Sequence, residues 1–118
     1  LIINAVGIIV ILILGVILYK KRSPYNLVLL NAHKLLSLGS IVYLSIITVS
    51  FIKTFGADTI VWTSVVVSII SVLALFVSGA LLIRKNPVLG VSIVHKISTL
   101  LFILGVTALF YSMYAVIK

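Results

Sequence analysis

The apolar positions of this chain fall into four blocks separated by short polar turns: Ile2–Leu18, Tyr25–Phe51, Ile60–Ile83 and Val88–Ile117. Each is about the length that crosses a bilayer as a helix, roughly 20 residues. The pattern predicts an all-α membrane protein, a four-helix transmembrane up-down bundle in which residues 1–118 make one domain. Leu1 is not an initiator methionine, so the start of the chain is open. No positive segment precedes the first block and no small-residue cleavage site follows it, so it reads as a retained span rather than a signal peptide.

The polar punctuation suggests a repeat. Gly15-Val16-Ile17-Leu18-Tyr19-Lys20 closes the first block, and Gly79-Ala80-Leu81-Leu82-Ile83-Arg84 closes the third. A basic turn follows each, and then Ser23-Pro24 or Asn86-Pro87, residue types suited to an N-cap and a first helical position. The two hairpins that result have the same orientation, as in a parallel repeat.

The only two histidines fall at matching places in this repeat. His33 lies ten residues beyond Ser23 and His95 nine beyond Asn86; each is followed by lysine (Lys34, Lys96) and, one turn on, by a hydroxyl residue (Ser37, Thr99). At about 1.5 Å per residue the imidazoles are expected roughly 15 and 13.5 Å into their helices. In an up-down bundle the second and fourth helices are diagonal neighbours, so their histidines can face one another.

Composition narrows the chemistry. With 64% hydrophobic and 8% charged residues and a mean hydropathy of +1.47, the chain is unlike a soluble domain, which carries roughly 25% charged residues. The net charge of +8 is not a nucleic-acid footprint. Lys20, Lys21 and Arg22 lie in the first connection and Arg84 and Lys85 in the third, against Lys53, Lys118 and the single acid Asp58 on the other side. By the positive-inside rule, the connections at 20–24 and 84–87 are cytoplasmic and both termini outside, as in a protein of the cell (plasma) membrane. Trp62, Tyr19 and Tyr25 fit interfacial belts. Ser64, Ser68 and Ser71 form a small-residue stripe suited to close helix packing. The connection Thr54–Thr59, with Gly56, is too short for an extracellular domain.

An imidazole inside a membrane is costly unless something binds it, and two at matched depth point to a shared ligand. Cysteine is absent, which removes disulfide exchange, thiolate ligation and covalent haem attachment. Zinc favours four ligands, commonly with cysteine or carboxylate, and copper transport favours soft donors. Proton-coupled export needs a carboxylate in a span, and Asp58 falls in a loop. Haem b needs two axial imidazoles, an apolar slot and partners for its propionates. His33 and His95 supply the first. Ser37, Ser40, Thr99 and Phe102 lie on the histidine-bearing faces, leaving room for a porphyrin edge with Phe102 packed on it. Lys34, Lys96, Arg22, Arg84 and Lys85 are candidates for the propionates, although snorkelling explains the two span lysines as simply. Asn31 and Ser92 are candidates to orient an imidazole N–H.

The histidine–lysine entry into a long span, in hairpins with basic inner turns, resembles the b-type cytochromes of the cytochrome b561-like and ferric-reductase-like kind. The resemblance implies transmembrane histidines that ligate haem and pass electrons from a quinol or a soluble carrier. Many of those proteins carry four ligand histidines and two stacked haems; two histidines suffice for one haem per chain, which does not bridge the bilayer alone. The expectation is therefore an electron-transfer subunit or partner of a larger redox complex in the lipid bilayer. The alternative is a non-redox accessory or scaffold subunit whose histidines hydrogen-bond between helices.

Overall fold

The computed structural model describes residues 2–21, 26–84 and 88–118. They form four α-helices: α1 (Ile2–Lys21), α2 (Leu27–Phe55), α3 (Thr59–Leu82) and α4 (Leu89–Ile117), with no strand among the described residues. All four are long and apolar enough to cross a membrane, and large side chains such as Ile13, Ile46, Ile70 and Leu104 are exposed along them. The chain is an all-α membrane protein whose four helices coincide with the four apolar blocks.

The helix ends differ from the expected spans in instructive ways. α1 continues past Leu18 through Lys20 and Lys21, and α2 continues past Phe51 through Lys53 to Phe55. Lysine ends a hydrophobic block but not a helix: it has good helix propensity and favours the negative end of the macrodipole. The expected starts Ser23-Pro24 and Asn86-Pro87 lie outside the described residues, as do Arg22, Tyr25 and Lys85. The helices begin later than those pairs imply. Asn26 caps α2, its Oδ1 accepting from the amides of Val28 (2.9 Å) and Leu29 (3.3 Å). α4 follows an extended Val88, whose side chain has no acceptor to offer; a backbone bond from the Val91 N–H to the Val88 carbonyl (3.0 Å) closes the first turn. Both histidines are thus the sixth residue after the first helical one, Leu27 or Leu89. That is a rise of about 9 Å in each, equal in depth and shallower than the spacing from the prolines suggests.

The helices pack as two compact units, Leu1–Thr54 and Phe55–Lys118. We call them hairpin 1 (α1–α2) and hairpin 2 (α3–α4). In hairpin 1, Gly7 lies against Ser40 and Gly15 against His33, so the two helices run antiparallel. Hairpin 2 is also antiparallel, with Gly79 against His95 and Gly105 against Ser68. Buried positions on α3 are Val61, Ser64, Ser68, Ser71 and Ser78; on α4 they include Ser98, Gly105, Leu109 and Ser112. Steps of three, four and seven residues are those of a coiled-coil seam. The expected serine stripe is therefore real, and it extends to Ser78.

Lipid offers hydroxyl groups no water, and most of them turn back on their own helix. Ser45, Thr48, Thr63, Ser71, Thr107 and Ser112 each donate to the carbonyl four residues earlier, at 2.7–3.0 Å. Asn4, 2% exposed, is different: both atoms of its amide are buried without a hydrogen-bond partner. Ser68 Oγ is buried and unpartnered as well.

Gly56, at φ +78° between α2 and α3, adopts a left-handed conformation that favours glycine. Asp58 then caps α3, its Oδ1 accepting from the Val61 N–H at 2.8 Å. Asp58→Ala is expected to destabilise hairpin 2 by about 1 kcal/mol. Unfolding in mild detergent, followed by the fluorescence of the single tryptophan Trp62, measures it, and an Asp58→Asn variant should recover most of the loss.

Candidate functional site

Each histidine is half-buried and turns its Nδ1 edge onto the first helix of its own hairpin. In hairpin 1, Nδ1 of His33 is 3.1 Å from the carbonyl oxygen of Ile11. A carbonyl can only accept, so this bond requires the proton on Nδ1. The neutral imidazole then carries its lone pair on Nε2. The ring fits because Gly15 has no side chain: a Cβ there would stand 3.3 Å from Cε1 and 3.9 Å from Nδ1.

Hairpin 2 repeats this arrangement with one change. A Cβ on Gly79 would stand 3.5 Å from Cε1 of His95 and 3.9 Å from its Nδ1. Ile11, Leu14 and Gly15 correspond, at a constant offset, to Leu75, Ser78 and Gly79. Here Nδ1 lies 2.8 Å from Ser78 Oγ, and that hydroxyl donates to the Leu75 carbonyl at 3.3 Å. A hydroxyl both donates and accepts, so the Ser78–His95 bond forms with either tautomer of the imidazole. Serine 78 is interposed between the imidazole and the same carbonyl position that His33 reaches directly.

The other residues singled out from the sequence take varied places. Ser37 Oγ donates to the His33 carbonyl (2.7 Å) and Thr99 Oγ1 to the His95 carbonyl (2.8 Å), so both hydroxyl protons are used within their own helices. Ser40 packs at Gly7, where a Cβ would come within 2.9 Å of its Oγ. Phe102 is half-buried, and Lys34, Lys96 and Arg84 are exposed; Arg22 and Lys85 lie outside the described residues. Asn31 and Ser92 do not serve the Nδ1 atoms, whose partners are Ile11 and Ser78. Residues just ahead of a histidine on its own helix project to other faces, whereas the imidazole tip reaches the neighbouring helix.

Among the described residues, no group of three or more His, Cys, Asp or Glu side chains converges. A centre built from several side-chain ligands is therefore not assembled within them. Comparison with protein-family models, curated proteins and solved structures finds no match to this chain.

Proposed function

We propose that this chain is a membrane b-type cytochrome that relays electrons, in which His33 and His95 would hold one haem b. The observation that carries the reading is the shared posture of the two imidazoles. At equal helical depth, each turns Nδ1 to a partner on the adjacent helix, and at His33, where the partner is a carbonyl, this places the proton on Nδ1 and the lone pair on Nε2. Ligating histidines characteristically donate their other ring N–H in this way, which fixes the ring and raises the basicity of the ligating nitrogen. Bound there, haem iron would supply one-electron chemistry between its ferric and ferrous states. Lys34 and Lys96, one residue beyond the histidines, offer ammonium groups to the propionates, with Arg84 at the end of α3. The connections at 20–24 and 84–87 are read as cytoplasmic and the membrane as the cell membrane, from the basic residues there. Electrons would come from a membrane quinol or a soluble carrier through a larger redox complex.

The test is an absorption spectrum of the full chain purified from haem-sufficient cells. Dithionite should produce the sharp α and β bands of low-spin bis-imidazole haem, and both His33→Ala and His95→Ala should lose them. A colourless, folded wild-type protein would sink the reading. It would favour an accessory or scaffold subunit, in which the Nδ1 bonds and glycine notches serve only to pin each hairpin together.

A further inference from the structure

Serine and threonine can return their protons to a carbonyl on their own helix, but a tyrosine cannot. Its hydroxyl stands at the tip of a ring, out of reach of its own turn. Two tyrosines on the last turns of α4 meet this limit. Tyr111 and Tyr114 are 74% and 55% exposed, and neither hydroxyl has a hydrogen bond among the described residues. A phenolic O–H ordinarily finds a partner where its surroundings shut out water.

Lys118 completes a stripe with them. Residues three and four apart share one side of a helix, so 111, 114 and 118 stand in a row. The Lys118 N–H bonds to the Tyr114 carbonyl at 3.1 Å, which keeps it in helical register, and its Nζ lies 5.7 Å from the centroid of the Tyr114 ring. The ring face attracts the ammonium and holds it beside the hydroxyls. Buried Gly105, Leu109 and Ser112 occupy the other side of α4, and Gly105 meets α3 there, so the stripe is turned away from α3. From Tyr111 to Lys118 the helix rises about 10 Å. One headgroup layer is about 5–7 Å thick, so the stripe crosses from the hydrocarbon edge to the water.

A cation above two phenolic donors matches a phosphodiester above ester carbonyls, which is what a phospholipid presents at this depth. The stripe holds one positive side chain and no negative one, so it favours a headgroup without an ammonium of its own. We infer that the Lys118 end of α4 binds one anionic phospholipid. Lys118 pairs with the phosphate, Tyr114 donates to it, and Tyr111 donates to an ester carbonyl one turn deeper. The site is independent of the haem reading. Lys53 provides the contrast within the chain: it too is exposed in the last turn of its helix, but Val49 and Ile46 stand where Lys118 has its tyrosines.

The test uses the full chain in micelles of a non-ionic detergent, with ¹³C in its tyrosine rings. Tyr111→Phe and Tyr114→Phe assign two of the five tyrosine signals. Short-chain phosphatidylglycerol should shift both at about five-fold lower concentration than phosphatidylcholine of the same chains, the weight of one lysine at an anionic surface. Lys118→Ala should remove this preference, Lys118→Arg should keep it, and Lys53→Ala should leave it unchanged. Glycerol phosphate, which has no acyl chains, should not compete. Equal response to the two lipids, or an unaltered preference in Lys118→Ala, overturns the inference. Displacement by glycerol phosphate would make this a site for free phosphate and overturn the lipid assignment. Signals that follow protein concentration instead of lipid would mean that a second copy of the chain covers the stripe, and would overturn it as well.

Discussion

Gly15→Leu should abolish haem binding as completely as His33→Ala, although residue 15 carries no chemistry. Its Cα forms the floor on which the His33 ring lies, and the first added carbon would already stand 3.3 Å from Cε1. The ring has little freedom to retreat. Its bond to the Ile11 carbonyl is 3.1 Å, near the long end of the useful range, so a shift of a few tenths of an ångström weakens it steeply. Leucine adds a branched side chain in the same place, and the imidazole must leave the notch. Gly15→Ala isolates the smaller displacement: loss of such a supporting bond weakens metal affinity by about 10–100-fold. The corresponding change in hairpin 2 sharpens the test, because a Cβ on Gly79 meets His95 at 3.5 Å, ordinary contact. Gly79→Ala should therefore hold haem within a few-fold of wild type. Haem-to-protein ratio and the reduced spectrum report all three variants. Equal losses in Gly15→Ala and Gly79→Ala would show that the notch does not set the ligand.

How far the sequence foretold this arrangement depends on the kind of partner involved. Four uninterrupted apolar blocks leave little choice but four helices, and the matched histidines are visible as soon as the hairpins are aligned. The starts of α2 and α4 were less legible. Ser23-Pro24 and Asn86-Pro87 are good cap pairs by residue type, yet Asn26 caps α2 and an apolar Val88 precedes α4. A cap is decided by which side chain reaches the first free amides, and composition alone does not say. The imidazole partners were hardest to see. Every residue has a carbonyl, so nothing in the sequence marks Ile11. The serine stripe legible in the sequence, Ser64, Ser68 and Ser71, stops short of Ser78, which the structure places against His95. The available signal was glycine: Gly15 and Gly79 stand at equivalent places in the two hairpins, where a ring needs room.

Gly105→Leu should open hairpin 2, with a loss of about 3 kcal/mol or more, at or beyond the upper end of usual overpacking costs. Within a bilayer, helices gain little from burying apolar surface against each other and depend on close backbone approach, which small residues permit. Of the glycines that face a neighbouring helix, Gly105 meets it most tightly. A Cβ there would come within 2.7 Å of Ser68 Oγ and 3.5 Å of both the Ser64 carbonyl oxygen and the Ser68 amide nitrogen. The backbone distances leave room for one carbon and no more, so leucine has to push α3 away. Alanine should behave differently, because its only severe clash is with the tip of a side chain. Ser68 Oγ has no hydrogen-bond partner, so Ser68→Ala alone should be neutral within about 0.5 kcal/mol or slightly stabilising. Gly105→Ala alone should cost about 1 kcal/mol, the low end for overpacking. Combined with Ser68→Ala, that cost should largely vanish, giving a coupling of about 1 kcal/mol between two residues in direct contact. Gly105→Leu should receive no such rescue, since the atoms it meets belong to the α3 backbone. Unfolding in mild detergent, read from Trp62, follows the whole cycle. Additive effects in the alanine pair would mean that Ser68 does not set the closeness of α3 and α4, and full rescue of Gly105→Leu would mean that the backbone does not.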